Sequence, residues 1–405
     1  MDWRLNRFAT ERVLSKLIKQ KEEEGMTNVK RILSVTFLSV MIVAIFGSGI
    51  GMAAEEIKIG FTPPITGDSA AEGALQIKSI KLALKEINAA GGINGKKINL
   101  VMVDNRSSNP GALAALQKAV EQEKVLALVG SVRSTQILAT SDAIKNYGIP
   151  TIIGGTNVNL TKQGNPWLFR VRPDDTIAAS AMVKYIKEDT KFTKIGILND
   201  TEAFGQGGGD LVEKYAKEYG LNMVKRERFT PKDKDYTAFL LSLKNAGAQV
   251  MIVYSPSPDT AVIQRQVRQL GSPFKYLGSP SSASNDSLNL AQEAAEGIWA
   301  AVDAVPGQSE ANKRYCNAYK KEYNEEPDML SSWTYDGLKI LVNAIKKAGE
   351  DRDKIRQAIL ATQGYEGVLG TFSFTPNGDG LSSVSIVEIE KGQPKLLKII
   401  SVGKK

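Results

Sequence analysis

Between Ile57 and Phe61 the chain is apolar and rich in β-branched residues, which predicts a strand. The period then changes. From about Glu72 to Ala90 the apolar positions Ile77, Ile80, Leu82, Ala83, Ile87 and Ala90 fall mostly on one face of a helix, and Gly91 and Gly92 stop it. The same test predicts a strand over Ile98–Val103, a helix near Pro110–Gln122, a strand over Val125–Val129, a helix over about Ser134–Asn146 and a strand over Thr151–Ile153. The rhythm then restarts. Strand Lys194–Leu198, helix Gly207–Tyr219, strand Asn222–Phe229, helix Tyr236–Ala246, strand Val250–Tyr254, helix Asp259–Gln269 and a short strand near Tyr276 follow in order. Strand–helix alternation builds a parallel sheet covered by helices on both faces. Occurring twice, joined near Arg170–Asp175, it predicts an α/β protein of two doubly wound parallel-sheet lobes. Helices near Glu310–Tyr323, Trp333–Ala348 and Asp351–Ala361, then a hairpin-like end from Val368 to Ile400, are too little for a third domain and are expected to complete both lobes.

The N-terminus breaks this pattern. No charged side chain occurs from Ile32 to Ala54, the run Ile32–Phe46 is mostly apolar, and Lys30 and Arg31 stand immediately before it. That is the layout of a secretory signal peptide, with Gly51 and Ala53 at the −3 and −1 positions of a cut that would start the mature chain near Ala54. An uncleaved anchor is the competing reading, since a run of this length spans a bilayer of ~30 Å. Gly, Ser and Ala after Phe46, and no positive charge to stop transfer, favour cleavage. Residues 1–25, with Arg4, Arg7, Lys16, Lys19 and Lys21 against Glu22 to Glu24, make an odd leader, and Met26 opens a conventional one.

Composition narrows the chemistry. Without residues 1–53 the chain keeps 44 basic and 39 acidic side chains, a net charge of +5, and no long basic or basic–aromatic array, which argues against a nucleic-acid partner. With no His and one Cys, Cys316, the chain cannot assemble a His-dependent triad, a Cys–His dyad, a His/Cys metal site or an internal disulfide, so neither an enzyme nor a cofactor is expected. Cys316 reads most simply as a small half-buried filler on a helix.

Doubly wound sheets bind ligands beyond the carboxyl ends of their strands, and two facing lobes make a cleft that closes by a hinge. In the loop Gly130–Thr135, the first-turn N–H groups, the hydroxyls of Ser134 and Thr135 and the helix dipole suit a small carboxylate. The plainer reading is an N-cap serine. Gly154-Gly155-Thr156-Asn157 offers a second backbone approach, or simply a turn. The glycines from Gly205 to Gly209 lack the Lys-Ser/Thr of a P-loop and the spacing of a dinucleotide fingerprint, and read as a tight helix entry close to the cleft. Asp104 and Asp200 at strand ends are expected to tie loops, Asp259 to sit at a helix start, and Trp167, Trp299 and Trp333 to pack.

The ordered segments "IKIGFTPPITGDSAAEGALQIKSIKLALKEINAAGGINGKKINLVMVD", "GSVRSTQILATSDAIKNYGIPTI", "GGTNVNLT", "FRVRPDD", "GILNDTEAFGQGG" and "DYTAFLLSLKNAGAQVMIV" resemble the branched-chain amino acid (Leu/Ile/Val) binding proteins of ABC transporters, a type I periplasmic binding fold, from about Glu55 to the C-terminus. The resemblance implies three crossovers between lobes, with residues 1–53 as leader and signal peptide, 55–174 plus 304–370 as the N-terminal lobe, and 175–303 plus 371–405 as the C-terminal lobe. It also implies a periplasmic, monomeric solute receptor that delivers a branched-chain or related amino acid to membrane permease subunits. A ligand sensor of the same fold is the alternative role.

Carried over residue by residue, the serine that holds the ligand carboxylate falls on Ser134, the small residue and threonine of the next loop on Gly155 and Thr156, and the second lobe's aromatic on Phe204. The family's other two aromatics are replaced, near Glu72 and Ser257. Its acid for the ligand ammonium would lie near Pro280, where no carboxylate stands; Asp286 comes several residues later. Burying an ammonium without a partner costs several kcal/mol. Either Glu72, Asp200 or Asp286 supplies the charge, or the ligand is an amine-free aromatic or aliphatic carboxylate, which would suit Arg133 beside Ser134. A solvated arginine on a helix end is the plainer reading of Arg133.

Overall fold

The structure is a computed structural model that describes residues 11–26 and 56–402. Residues 1–55 and Glu56–Lys405 form separate units. In the first, residues 11–26 are helical (α1). The expected signal segment from Ile32 to Ala53 and its cut lie outside the described residues. Among the described residues no helix is long and apolar enough to cross a membrane.

The second unit opens with β1 (Glu56–Phe61), α2 (Ala70–Ala89), β2 (Lys97–Met102), α3 (Asn109–Gln117), β3 (Ala127–Val129), α4 (Ser134–Tyr147), β4 (Thr151–Ile153), α5 (Asn159–Lys162) and β5 (Leu168–Arg170). Their sheet has the order β2-β1-β3-β4-β5 and every pairing is parallel. Next come α6 (Asp175–Asp189), β6 (Lys194–Asp200), α7 (Ala203–Glu218), β7 (Asn222–Phe229), α8 (Thr237–Asn245), β8 (Val250–Tyr254), α9 (Ser257–Gln269), β9 (Lys275–Gly278), α10 (Asn285–Ala291) and β10 (Trp299–Val302). The order β7-β6-β8-β9-β10 repeats the first sheet's winding, all parallel. Reversal of strand order at β1/β3 and at β6/β8 places a ligand crevice at the carboxyl edge of each sheet.

The chain then returns to the first lobe for α11 (Glu310–Tyr323), α12 (Trp333–Ala348) and α13 (Arg352–Leu360), the first two of which pack on α2. A small hairpin, β11 (Tyr365–Glu366) and β12 (Thr371–Phe372), precedes the last crossing, after which β13 (Ser383–Glu390) and β14 (Gln393–Ser401) extend the second sheet as an antiparallel edge. Three crossings result, near Arg170–Asp175, Val302–Glu310 and Phe372–Ser383.

Each sheet is buried on both faces, as its strands' alternation requires. In the first, Ile57, Ile59, Phe61, Val129, Ile152 and Phe169 face α2 and α12, while Val125, Leu128, Ile153 and Leu168 face α3 and α4. In the second, Ile195, Ile197, Val250, Ile252 and Ile386 pack with α6 and α7, and Leu198, Met251, Val253 and Val387 with α8 and α9. Each such side chain contributes about 1.5–3 kcal/mol of transfer free energy.

The elements depart from the periodicity in several places, the short α5, β5 and α10 among them. Helix α6 was not expected, because it is buried all round, from Ile177 to Ile186, and so lacks an amphipathic stripe. Strand β10 was not expected either: four residues, two of them Ala, carry almost no β signal. Helix α7 starts at Ala203 rather than Gly207, taking the glycines inside the helix, and residues Lys118–Gln122 after α3 are π-helical. Cys316 sits half-buried on α11, where its thiol donates to Asn312 Oδ1 at 3.3 Å.

Candidate functional site

Two buried ion pairs fasten the crossings together. Arg170, fully buried at the end of β5, donates through Nε to Asp379 Oδ1 at 2.9 Å, joining the first crossing to the third. Arg172 donates through Nε and Nη2 to both oxygens of Asp303 at 2.5 and 3.2 Å, joining the first to the second, and through Nη1 to the Gly154 carbonyl at 3.0 Å. Burial opposes the Arg172 charge, but Asp303 outweighs it and raises the guanidinium pKa. Backbone bonds join the first and third crossings as well, Arg170 N–H donating to the Gly378 carbonyl at 2.8 Å and Gly380 N–H to the Arg170 carbonyl at 3.0 Å.

A cavity partly open to solvent lies between the lobes above these crossings. From the first lobe Glu72, Val132, Arg133, Ser134, Thr135 and Thr156 line it; Arg172 forms part of the floor; Glu202, Phe204, Pro256 and Ser281 come from the second lobe and Leu330 from the segment before α12. Contacts cross the cleft: Asn157 Nδ2 donates to the Ala203 carbonyl at 2.5 Å, and an exposed Lys232 Nζ meets Asp68 Oδ2 at 2.5 Å.

Ser134 is the first residue of α4, not its cap; Arg133 holds the cap position, and it makes no side-chain cap bond. The first N–H groups of α4 have no partner within the helix. Ser134 Oγ accepts from the Asn157 N–H at 3.3 Å, leaving its own proton for a ligand. The Ser131 hydroxyl sets this turn by accepting from Arg133 N–H at 3.1 Å and donating to Gln136 Oε1 at 2.5 Å. Thr156 is buried opposite, in the loop after β4. The positive end of α4 and the hydroxyls of Ser134 and Thr156 are groups that can receive a carboxylate.

Gly155 does not line the cavity; it shapes it. A Cβ there would fall 2.5 Å from Ile137 Cδ1 and 2.8 Å from Leu160 Cδ1, so glycine lets this loop lie against α4 without those side-chain ends giving way. Gly154 is held likewise by Trp333, whose Cε2 would lie 2.5 Å from an added Cβ. On the second lobe Phe204 begins the α7 wall, its ring 5.4 Å from that of buried Tyr254.

The substituted positions fare differently. Ser257 is turned away from the cavity: it begins α9, is buried, and its Oγ lies 2.9 Å from Ser284 Oγ, leaving the wall to its neighbour Pro256. Glu72 does line the cavity. Its Oε2 pairs with Arg133 Nη2 at 3.0 Å, and its Oε1 accepts from Gln76 Nε2 at 3.3 Å. Arg133 is thus a bound arginine, not a solvated helix end; Nη2 also donates to Ser69 Oγ at 2.8 Å.

The other acids lie outside the cavity lining. Asp200 is fully buried; Oδ1 accepts from Glu202 N–H at 2.7 Å while Oδ2 has no partner, and burial pushes its carboxyl up to about 7. Asp286, half-buried in α10, is raised by burial with Glu72 adding to the effect. Pro280–Ala283 form a 3₁₀ turn that points Ser281 into the cavity where the resemblance placed an acid. Asp104 ties the loop after β1, accepting from the Ile65 and Thr66 N–H groups and the Thr66 hydroxyl. Arg172, Glu202, Ser281 and Leu330 were not anticipated. Pro173 and the capping carboxylate of Asp174 signalled a helix start beside Arg172, but nothing local marked the other three.

Residues 56–394 match the family model described as periplasmic binding protein. A leucine-, isoleucine-, valine-, threonine- and alanine-binding protein of Pseudomonas aeruginosa is 28% identical over 343 residues, 84% of this chain and 91% of that one. The crystal structure of a leucine binding protein from Thermotoga maritima is similar with a TM-score of 0.81 and 27% identity, over 85% of this chain and 99% of that one. A branched-chain amino acid transporter substrate binding protein of Streptococcus pneumoniae in complex with isoleucine gives 0.80 and 28%, over 86% and 100%. A Rhodopseudomonas palustris solute binding protein in complex with benzoate shares the fold at 0.80 with 18% identity, over 87% and 98%. With the two doubly wound lobes and the cleft between them, the family match means that this chain belongs to the periplasmic binding proteins.

Proposed function

We propose that this chain is the extracytoplasmic solute receptor of an ABC transporter, which captures a branched-chain or related amino acid between its lobes and delivers it to the permease. The observation that carries the reading is the carboxylate seat of Ser134, Thr156 and the α4 N-terminus on one wall, faced across one cavity by Phe204 and Glu202 on the other. Thr135 offers a second hydroxyl at the same helix start. Glu202 lines the cavity with no side-chain hydrogen bond among the described residues, and it meets the ligand ammonium in place of the acid absent near Pro280. The leucine-, isoleucine-, valine-, threonine- and alanine-binding relative and the isoleucine complex support the same class.

Residues 55–174 plus 304–370 and 175–303 plus 371–405 are the two bodies that close on the solute, and the mature chain acts as an exported monomer, free of its first 53 residues. Titration of the mature protein with leucine, valine, threonine and asparagine tests this. Binding stabilises the closed state, so the melting temperature rises and the radius of gyration falls. Unchanged scattering at saturation refutes the closure. One observation favours a second ligand class: Ser281, not a carboxylate, occupies the 3₁₀ turn. Tighter binding of 4-methylpentanoate than of leucine would establish that amine-free class instead.

A further inference from the structure

Arg133 and Glu72 form a unit that no carboxylate seat needs. They come from two helix starts of the first lobe, Glu72 in the first turn of α2 and Arg133 at the cap of α4. Glu72 is held on both oxygens and Arg133 Nη2 on two acceptors, so neither side chain is free to swing. The side chains are 20% and 8% exposed for Arg133 and Glu72, and both residues line the cavity. Arg133 Nη1 and Nε have no protein partner among the described residues, which leaves free donors on a held side chain that lines the cavity.

The charge around this unit restricts what those donors accept. Glu72 cancels the Arg133 charge locally. The Arg133 charge also acts on Asp200, Asp259 and Asp286 of the second lobe, opposing the rise that burial gives each carboxyl, so three further acids lie within its reach. A second carboxylate on the ligand would meet Glu72 at once and these acids behind it. A bare aliphatic group would cover the unpaired donors and strip their water without return. A neutral acceptor, a hydroxyl or carboxamide oxygen, satisfies them at no cost in charge.

We infer that the Glu72–Arg133 pair is a specificity determinant that selects an amino acid with a neutral, hydrogen-bond-accepting side chain over its aliphatic isostere. The inference rests on the amino-acid reading above and narrows it to the related, polar members of that class.

Isosteric pairs test it directly by isothermal titration of the mature protein. Threonine against valine exchanges a hydroxyl for a methyl, and asparagine against leucine exchanges a carboxamide for an isopropyl group, at nearly constant shape. Each polar member binds about tenfold to a hundredfold tighter, as expected for one hydrogen bond to a charged donor. Aspartate binds more weakly than asparagine. The double variant Glu72→Met with Arg133→Met removes both charges together, leaves no buried ion unpaired, and reverses the order within each pair; circular dichroism confirms that it is folded. Should the wild type prefer valine and leucine to their isosteres, the polar subsite is overturned while the amino-acid reading stands. An unchanged preference in the folded double variant overturns the assignment to this pair. Binding of 4-methylpentanoate with no response to any of the five amino acids overturns the amino-acid reading itself, and the inference with it.

Discussion

Replacing Ser134 by Ala separates a ligand contact from a structural one. As the first residue of α4 with no capping bond, Ser134 gives the helix start little that alanine would not. Its one side-chain hydrogen bond among the described residues is the 3.3 Å bond accepted from Asn157 N–H, long enough that its loss costs the apo fold at most about 1 kcal/mol. Against a ligand carboxylate the same hydroxyl makes a charge-assisted bond worth about 1.5–3 kcal/mol, which weakens the dissociation constant about tenfold to over a hundredfold. Calorimetric titration of the best binder among leucine, valine, threonine and asparagine reads the first quantity. Urea denaturation of the ligand-free protein, with an unchanged slope, reads the second. Thr156→Val, alone and combined with Ser134→Ala, adds a check: two groups on one carboxylate give a combined loss that departs from the sum. A Ser134→Ala protein that binds within threefold of wild type while losing more than 1 kcal/mol of stability would refute the seat.

Three other outcomes are expected. Asp200, raised by burial to about 7 against about 3.9 in the unfolded chain, binds its proton more tightly when folded, so the stability this brings is complete below pH 4 and is lost as pH rises to about 7; Asp200→Asn, which keeps an acceptor for Glu202 N–H, therefore raises the urea midpoint at pH 8 far more than at pH 5, and equal shifts at both would refute the assignment. Gly154→Ala drives a methyl into the Trp333 ring and costs about 1–3 kcal/mol with a change in tryptophan emission, whereas a neutral substitution would show that α12 gives way. Lys232→Ala removes an exposed pair with Asp68 across the cleft, so ligand affinity falls about twofold to fivefold at low salt and not at all at high salt; a salt-independent loss would mean another contact is responsible.

The sequence by itself determined the elements whose pattern is local. Strands such as Val250–Tyr254 announce themselves by an unbroken apolar run, and α4 by its period and by its Ser-Thr start. Their alternation, read twice, was enough for two doubly wound sheets, because the parallel winding of strand and helix is itself a short-range rule. Elements with no local contrast stayed hidden: α6 is apolar on every side, and β10 is too short and too rich in alanine to register. Tertiary structure decided the walls. Ser257 and Pro256 differ by one position, yet only the start of α9 settles which of them faces the cavity. Glu72 and Arg133 are 61 residues apart and became one unit because the starts of α2 and α4 meet at the edge of the same sheet. Glu202, Ser281 and Leu330 reach the site from segments that converge only once the crossings, fastened by Arg170–Asp379 and Arg172–Asp303, fix how the lobes face each other. Periodicity reports which side of an element is buried; which ligand group a side chain meets depends on loops brought together over hundreds of residues, and no local pattern encodes that.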